Sequence, residues 1–180
     1  MPAFMPHRSS RPALATLLAC LLFGGAAQAE KADRNQPLNA EADALRYDDA
    51  RQVSVFTGNV VITKGSITIR GAQVEVRQDP QGNQFGIVQG SPGFFRQKRE
   101  GLNEFIEGEA RRIEYDSRSE KAKLFNRAKV TSGGDQVTGH YIEYDAITEN
   151  YLATNAPGSK PGAAPSRVRA VIQPKSDGGQ

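Results

Sequence analysis

The residues that could perform chemistry in this chain are few and isolated. His140 is the only histidine beyond the N-terminal segment, and Cys20 is the only cysteine of the 180 residues. A histidine can act as a general acid or base near neutral pH, and a thiolate can act as a nucleophile or metal ligand. Neither residue has His, Cys, Asp or Glu neighbours at the spacing of a metal site. We therefore predict no catalytic centre and no metal site.

Four acidic residues recur at one spacing, since Glu41 and Glu109 are 68 positions apart and so are Glu75 and Glu143. Two carboxylates facing one cleft could hydrolyse glycosidic bonds. A duplicated segment, however, repeats its surface charges as well, and charged residues protect exposed strands from pairing with other chains. The acids are therefore interpreted as surface residues, and the protein is predicted not to be an enzyme.

The N-terminus has the pattern of a secretory signal. Arg8 and Arg11 precede an apolar run over 13–27, and Ala27-Gln28-Ala29 is a small-x-small cleavage motif. We predict that 1–29 is a cleaved signal peptide and that the protein is exported across the cytoplasmic membrane. Cys20 within this run also allows lipid attachment as an alternative, but the better cleavage site lies downstream.

The net charge of +3 is concentrated at the ends of the chain. Without the two arginines of the signal, and without the four cations and one acid of 156–180, the body has 17 basic and 19 acidic residues. Nucleic-acid-binding domains present a strongly basic face instead. No nucleic-acid partner is predicted.

The body, 30–155, reads as β-structure throughout. Short stretches such as 60–63, 74–77 and 141–144 alternate apolar with polar residues, which places one face inside and one in water. Glycine, proline and aspartate clusters separate them at close intervals. The segment 40–45 is also interpreted as strand, so very little helix is expected.

An internal repeat supports this interpretation. A shift of 68 positions, without gaps, superimposes Tyr47-Asp48 on Tyr115-Asp116, Ile62-Thr63 on Val130-Thr131, and Val74-Glu75 on Ile142-Glu143. Two copies of one supersecondary unit can stack and bury the apolar face that neither buries alone. Gly58, Gly71, Gly108 and Gly139 interrupt the strands and are expected at bends or bulges. We predict an all-β fold, either an elongated β-solenoid or an open antiparallel β-jelly roll.

Three motifs connect the chain to a known family. Leu38-Asn39-Ala40-Glu41-Ala42-Asp43, Phe56-Thr57-Gly58-Asn59-Val60 and Gly90-Ser91-Pro92-Gly93-Phe94-Phe95 closely resemble the OstA-like family of periplasmic lipopolysaccharide-transport proteins. The resemblance continues through Glu107-Gly108-Glu109-Ala110 and ends in Arg167-Val168-Arg169-Ala170-Val171-Ile172, like the last strand of the family. It covers nearly the whole exported chain.

The resemblance implies an open antiparallel β-jelly roll that carries lipopolysaccharide across the periplasm, with the acyl chains of lipid A in an apolar interior and no cofactor. Positions 38, 95 and 115 match lipid-contacting residues of the family. With strand alternation, the expected lipid-binding residues are Leu38, Phe56, Ile62, Ile69, Val74, Phe95, Ile113, Tyr115, Leu124, Val130 and Ile142.

The resemblance also implies head-to-tail assembly into a bridge between the membranes. The expected partners are further copies of this chain and inner- and outer-membrane components with similar jelly rolls. The expected self-assembly edges are Gln36, Leu38 and Ala40 at one end, and Val168, Ala170 and Ile172 at the other. The predicted organisation is a β-jelly roll over 30–155, a flexible linker over 156–166, an edge strand over 167–172 and a disordered tail over 173–180.

One alternative stays open at the level of sequence. A self-assembling structural protein of the periplasm, with a filled core and no lipid, would have the same strand pattern, because alternation does not reveal what the apolar face contacts.

Overall fold

The computed structural model describes residue 33 and the ranges 36–99, 101–155 and 167–174. The predicted signal peptide, the linker 156–166 and the end of the tail beyond residue 174 lie outside the described residues. Within the described part, Asp33 is helical and the other regular elements are strands. The all-β prediction is confirmed.

Ten strands follow one another along the chain. They are β1 Asn39–Glu41, β2 Ala44–Asp48, β3 Val53–Lys64, β4 Ile67–Gln78, β5 Gln84–Lys98, β6 Phe105–Asp116, β7 Lys121–Ser132, β8 Asp135–Asp145, β9 Asn150–Thr154 and β10 Arg169–Val171. The last strand is shorter than the predicted 167–172.

All ten strands form one antiparallel sheet, in the order β1-β3-β4-β5-β6-β7-β8-β10, with β2 also on β3 and β9 also on β8. Consecutive long strands are therefore neighbours, joined by short turns. The two edges are formed by pairs of short strands, β1 with β2 and β9 with β10. The sheet is an open one, in agreement with the predicted jelly roll.

The long strands bend at a line of bulges near their midpoints. The pairing register shifts between Thr57 and Val60, and again at 70–73, 89–93, 109–112 and 125–128. The bulges let the sheet fold over, because an extra residue bends a strand. The strand segments on the two sides of this line form two layers: layer A contains 53–57, 73–78, 84–89, 112–116, 121–125 and 141–145, and layer B contains 60–64, 67–71, 93–98, 105–110, 128–132 and 135–139.

The glycines explain the bends only in part. Gly58 lies in the first bulge with φ of +81°, a conformation that side-chain-bearing residues rarely adopt. Gly71 and Gly139 adjoin the second and last bulges. Gly108, by contrast, pairs regularly with Val130. A Cβ at Gly108 would lie 2.9 Å from Leu124 Cδ2, so this glycine provides space between the layers and marks no bend.

The repeat is reproduced in the pairing of the strands. Leu45 pairs with Phe56 as Ile113 pairs with Leu124, and Val60 pairs with Gly71 as Ala128 pairs with Gly139. Each pair of partners is shifted by the same 68 positions. The second copy therefore repeats the register of the first, bulges included.

Candidate functional site

The apolar space between the two layers is the main candidate site. Alternation directs one face of every strand into it, and one continuous cluster of buried side chains fills it. Nine of the eleven predicted lipid-binding residues are buried members of this cluster: Phe56, Ile62, Ile69, Val74, Phe95, Ile113, Leu124, Val130 and Ile142. The other two, Leu38 and Tyr115, are partly buried and pack against it. The structure thus brings all eleven together on one interior.

Phe95 and Tyr115 connect the layers. Phe95 lies in layer B and Tyr115 in layer A, and their ring centroids are 5.6 Å apart with the planes 28° from parallel. Aromatic pairs at this distance are worth about 0.5–1.5 kcal/mol beyond the area that they bury. This contact stabilises the closed arrangement of the two layers.

The interior is filled by protein side chains. Val74, Ile113 and Ile142 have no measurable exposure. Interior residues that the sequence interpretation left out are Val60, Ile67, Val88, Ile106, Ala110, Ala122, Ala128, Tyr144 and Ala146. Most of them are two residues away from a predicted interior residue on the same strand. Strand alternation places such residues on the same face, and this signal could have identified them.

Along one side, the free ends of the layers form a mouth that polar contacts close. Lys64 Nζ of layer B donates to Gln84 Oε1 of layer A at 3.0 Å. Farther along, Arg99 in the β5–β6 turn lies 2.6 Å from Glu149 in the β8–β9 turn. The carboxylate of Glu149 is the main cause of a raised pKa at Arg99. No sequence motif marks these residues, because Lys64 and Gln84 are 20 positions apart and Arg99 and Glu149 are 50 positions apart.

A cavity of about 30 Å³ lies at this mouth, lined by residues that include Tyr115 and Gln97. Gln97 is 5% exposed, and its Oε1 has no hydrogen-bond partner. A buried carbonyl oxygen without a donor is destabilising. The mouth therefore contains a buried polar atom without a hydrogen bond, and it is less stable than the apolar interior.

Three of the four recurring acids lie in ion pairs. Glu75 contacts Arg77 at 2.6 Å, Glu109 contacts Lys129 at 3.0 Å, and Glu143 contacts Lys121 at 3.2 Å. Glu143 also accepts a hydrogen bond from the hydroxyl of Tyr141, the largest cause of its lowered pKa. Each of these three acids has its own partners, which fits the interpretation of repeated surface charge. His140 is half-buried on the outer face of β8.

The predicted assembly residues lie at the two edges of the sheet. Gln36 is exposed, while Leu38 and Ala40 are half-buried beside the core. Val168, Ala170 and Ile172 are exposed, Ile172 to 76%. The edges also include large exposed apolar residues absent from the prediction: Leu45, Tyr47, Tyr151 and Leu152. Leu45 aligns with the fully buried Ile113, so its exposure is a consequence of its edge position.

Two negative observations complete the description. In the described ranges, no three His, Cys, Asp or Glu side chains are grouped so that they could hold a metal ion. The same ranges contain no helix of the length and apolarity needed to cross a membrane.

A single folded antiparallel sheet with an apolar interior and two free edges defines an open β-jelly-roll protein. Residues 39–150 match the family model described as LptA/(LptD N-terminal domain) LPS transport protein. The chain belongs to this family. Because the family consists of lipopolysaccharide transport proteins, the prediction that the chain is not an enzyme is confirmed, and so is the resemblance drawn from the three motifs.

Individual relatives agree with this assignment. The lipopolysaccharide export system protein LptH of Pseudomonas aeruginosa is 31% identical over 159 residues, which are 88% of this chain and 91% of the relative. The lipopolysaccharide export system protein LptA of Haemophilus influenzae is 31% identical over 161 residues, 88% of this chain and 89% of the relative. That of Escherichia coli K12 is 26% identical over 180 residues, 98% of this chain and 96% of the relative.

A solved structure is similar as well. The crystal structure of P. aeruginosa LptH, described as the LptA-homologous periplasmic component of the conserved lipopolysaccharide transport device, matches with a TM-score of 0.73. It is 31% identical and covers 79% of this chain and 99% of its own.

Proposed function

We propose that this protein binds lipopolysaccharide through the acyl chains of lipid A, held between layers A and B, and conveys it across the periplasm. The observation that carries the proposal is the continuous apolar interior between the two layers of an open sheet. Family membership and the names of the relatives support the same ligand and compartment.

The proposed ligand has an apolar part, the acyl chains, and a polar part, the sugars, and each requires a different environment. Burying a methylene group contributes roughly 0.8 kcal/mol, so several acyl chains bind strongly without polar contacts. The sugars must stay hydrated, and the polar mouth lets them extend into water. An apolar interior with a polar opening is suited to such an amphipathic molecule.

Acyl chains cannot enter while side chains fill the interior. The two layers must therefore separate, with the line of bulges as the hinge and the mouth as the opening. The stack of Phe95 on Tyr115 and the contacts of Lys64 and Arg99 across the mouth oppose this step. We propose that lipid replaces the packing between the layers.

Photocrosslinking in cells tests the proposal. A photoreactive residue replaces Phe95 or Tyr115, and the control is Glu114, which neighbours Tyr115 and forms an ion pair with Arg112 on the outer face. We expect lipopolysaccharide adducts at positions 95 and 115 and none at 114. Absence of adducts from folded, exported protein at both interior positions would overturn the lipid-binding proposal.

The filled interior also supports the alternative of a structural protein without lipid. In that case positions 95 and 115 would yield no lipid adducts, while assembly through the edges would persist. The same crosslinking experiment therefore separates the two functions.

We further propose that copies associate head to tail through the free edges, and that the resulting bridge ends on membrane components with similar jelly rolls. Both edges expose apolar side chains, including Leu45 and Tyr47 at one end and Leu152 and Ile172 at the other. An edge strand also presents unpaired backbone groups that a second sheet can satisfy. A contact between two different edges does not close on itself and extends into a chain of copies.

The duplication supplies the register of this contact. Ile69 pairs with Phe95 as Val137 pairs with Ala170, and Val74 pairs with Val88 as Ile142 pairs with Ala153. Strands β10 and β9 thus correspond to the two halves of β5, which pairs with β6 inside the chain.

On the opposite edge, β1 and β2 correspond to the two halves of β6. Val88 of β5 pairs with Ile113 of β6 within the chain. Since Ala153 corresponds to Val88 and Leu45 to Ile113, Ala153 is expected opposite Leu45 of the next copy. Ala170 is expected opposite Ala40 of the next copy by the same shift.

Cysteine pairs test this register. The exported chain lacks cysteine if cleavage follows Ala29, so A153C with L45C should form disulfide-linked multimers under mild oxidation. The control A153C with R46C places one thiol on the opposite face of β2 and should form no disulfide-linked multimers. Equal crosslinking of the two pairs would contradict the proposed register.

A further inference from the structure

A groove on the outer face of the second copy has a concentration of positive charge. It encloses about 520 Å³ between β7, β8 and β10, and its lining includes Arg127, Lys129, His140, Arg167 and Arg169. The remaining lining residues are Ala128, Thr138 and Gly139, so no acidic side chain is among them.

The strand pairing explains why these side chains meet. Lys129 on β7 and Arg169 on β10 both pair with Thr138 on the strand between them. The three therefore form one row across adjacent strands, which are spaced about 4.8 Å apart. His140 lies two residues after Thr138, and Arg167 lies two residues before Arg169. Both line the same groove. Arg127 completes the groove from the bulge of β7, where its φ is +60°.

The arginines of the groove are not neutralised. Lys129 forms an ion pair with Glu109 at 3.0 Å. No carboxylate of the described residues lies within ion-pair distance of Arg127, Arg167 or Arg169. Three exposed guanidinium groups line this groove without acidic partners among the described residues, so an anion bound between them would relieve their mutual repulsion.

The first copy of the repeat serves as an internal reference. Positions 127, 129 and 140 correspond to Asn59, Val61 and Ala72. Thr138, which pairs with Arg169, corresponds to Arg70, which pairs with Phe94. Only Arg70, in the place of Thr138, is cationic there, and its guanidinium lies over the ring of Phe94 at 5.6 Å from the centroid. The charge is therefore a property of the second copy and not a consequence of duplication.

We propose that this groove binds phosphate groups, with a phosphorylated sugar of a glycolipid as the ligand class. Arginine binds phosphate through paired N–H donors, and the hydroxyl of Thr138 provides a further donor within the row. A groove that spans three strands is wide enough for a sugar that carries more than one phosphate. The assignment to a glycolipid rests on the proposed function, whereas the anion site does not.

Calorimetric titration of the exported protein, below the concentration at which it self-associates, tests the proposal. The probes are a deacylated glucosamine disaccharide bisphosphate, the same disaccharide without phosphate, and inorganic pyrophosphate. We expect the bisphosphate to bind and the unphosphorylated disaccharide not to bind. Affinity should fall as salt is added. Because these probes lack acyl chains, the result is independent of whether the interior binds lipid.

The variant R127Q/R169Q should bind the bisphosphate at least about tenfold more weakly, since two charge-assisted contacts are lost. The matched control R70Q, at the equivalent row of the first copy, should retain affinity within about twofold. Both variants change outer-face side chains, and equal urea midpoints would verify their folding.

The relative affinities identify the source of the phosphate. Tighter binding of the disaccharide bisphosphate than of pyrophosphate supports a glycolipid headgroup, and equal binding supports a site for free phosphates. The proposal is overturned if neither anion binds, if R70Q weakens binding as much as R127Q/R169Q, or if R127Q/R169Q impairs only self-association. In that last case the groove would serve an acidic edge of another copy.

Discussion

At the residue scale, the interior depends on close contact between the layers. Gly108 and Leu124 illustrate this best, because Leu124 is 1% exposed and a Cβ at Gly108 would approach it to 2.9 Å. No glycine-specific backbone angle is involved, so steric space alone accounts for the residue.

We expect G108A to lower the free energy of unfolding by about 1–3 kcal/mol through overpacking. L124A alone leaves a cavity and costs about 2–5 kcal/mol. In the double variant the new methyl group occupies part of that cavity. In urea denaturation, its loss of unfolding free energy should therefore be smaller than the sum of the losses of the two single variants. Strict additivity would show that the two residues do not meet across the interior.

Tyr141 is the residue with the clearest shift in pKa. Burial, with the hydrogen bond to Glu143 next in size, raises its pKa from 10.0 to about 12. The folded protein therefore holds this proton more tightly than the unfolded chain does, and the associated stability is complete below pH 10 and lost as the pH rises through about 12. The pKa shift of Glu143 has the opposite sign. Because its pKa is lowered in the folded protein, Glu143 stabilises the fold above its ordinary pKa, and this stabilisation is lost in acid.

We expect the urea midpoint of the unmodified protein to fall between pH 10 and about 12, and Y141F to reduce that fall. Y151F is the control, since Tyr151 is 43% exposed at the sheet edge. If Y141F and Y151F change the alkaline profile equally, the raised pKa does not belong to Tyr141.

At the scale of elements, contacts between turns oppose the separation of the layers that we propose for lipid entry. The β5–β6 turn is joined to the β8–β9 turn by Arg99 and Glu149, while Arg96 and Glu107, 3.4 Å apart, join neighbouring strands of one layer. Only the first pair must break when the mouth opens. The two pairs therefore form a matched comparison.

We expect E149Q to accelerate uptake of fluorescently labelled lipopolysaccharide several-fold and E107Q to leave it unchanged. Each variant should cost less than about 1 kcal/mol in stability, because both pairs are partly exposed. Stopped-flow fluorescence measures the rate. Equal rates for E149Q and the unmodified protein would show that the ion pair does not limit opening.

At the scale of the whole molecule, the two edges are the surfaces through which we propose that copies associate. They expose apolar side chains that are buried at the corresponding positions within the sheet, as the comparison of Leu45 with Ile113 shows. Each copy is thus a sheet with two edges at which apolar side chains remain exposed.

We expect I172D to weaken self-association by at least about tenfold, since burying the carboxylate without a partner costs several kcal/mol. Its stability as a monomer should not change, because Ile172 is 76% exposed. I147D is the control, at a residue 63% exposed in the β8–β9 turn and outside the strands of both edges. Sedimentation velocity should show shorter assemblies for I172D alone; identical distributions would place the contact elsewhere.

The amino-acid sequence by itself was sufficient for the fold class, the repeat and most of the interior. Alternation has a period of two, so the positions of Ile62, Val74 and Ile113 on the inner face follow from their spacing alone. The motifs around Leu38, Phe56 and Phe95 were also sufficient for the family, because they occur in order along nearly the whole exported chain.

Only the tertiary structure decided which residues meet across the fold. Arg99 and Glu149, or Lys129 and Arg169, are brought together by strand order and bending, and such long-range contacts leave no local pattern in the chain. The interpretation of Gly108 as a bend failed for the same reason, since its constraint is Leu124 on the facing layer. Alternation identifies a face, but the folding of the sheet determines what that face contacts.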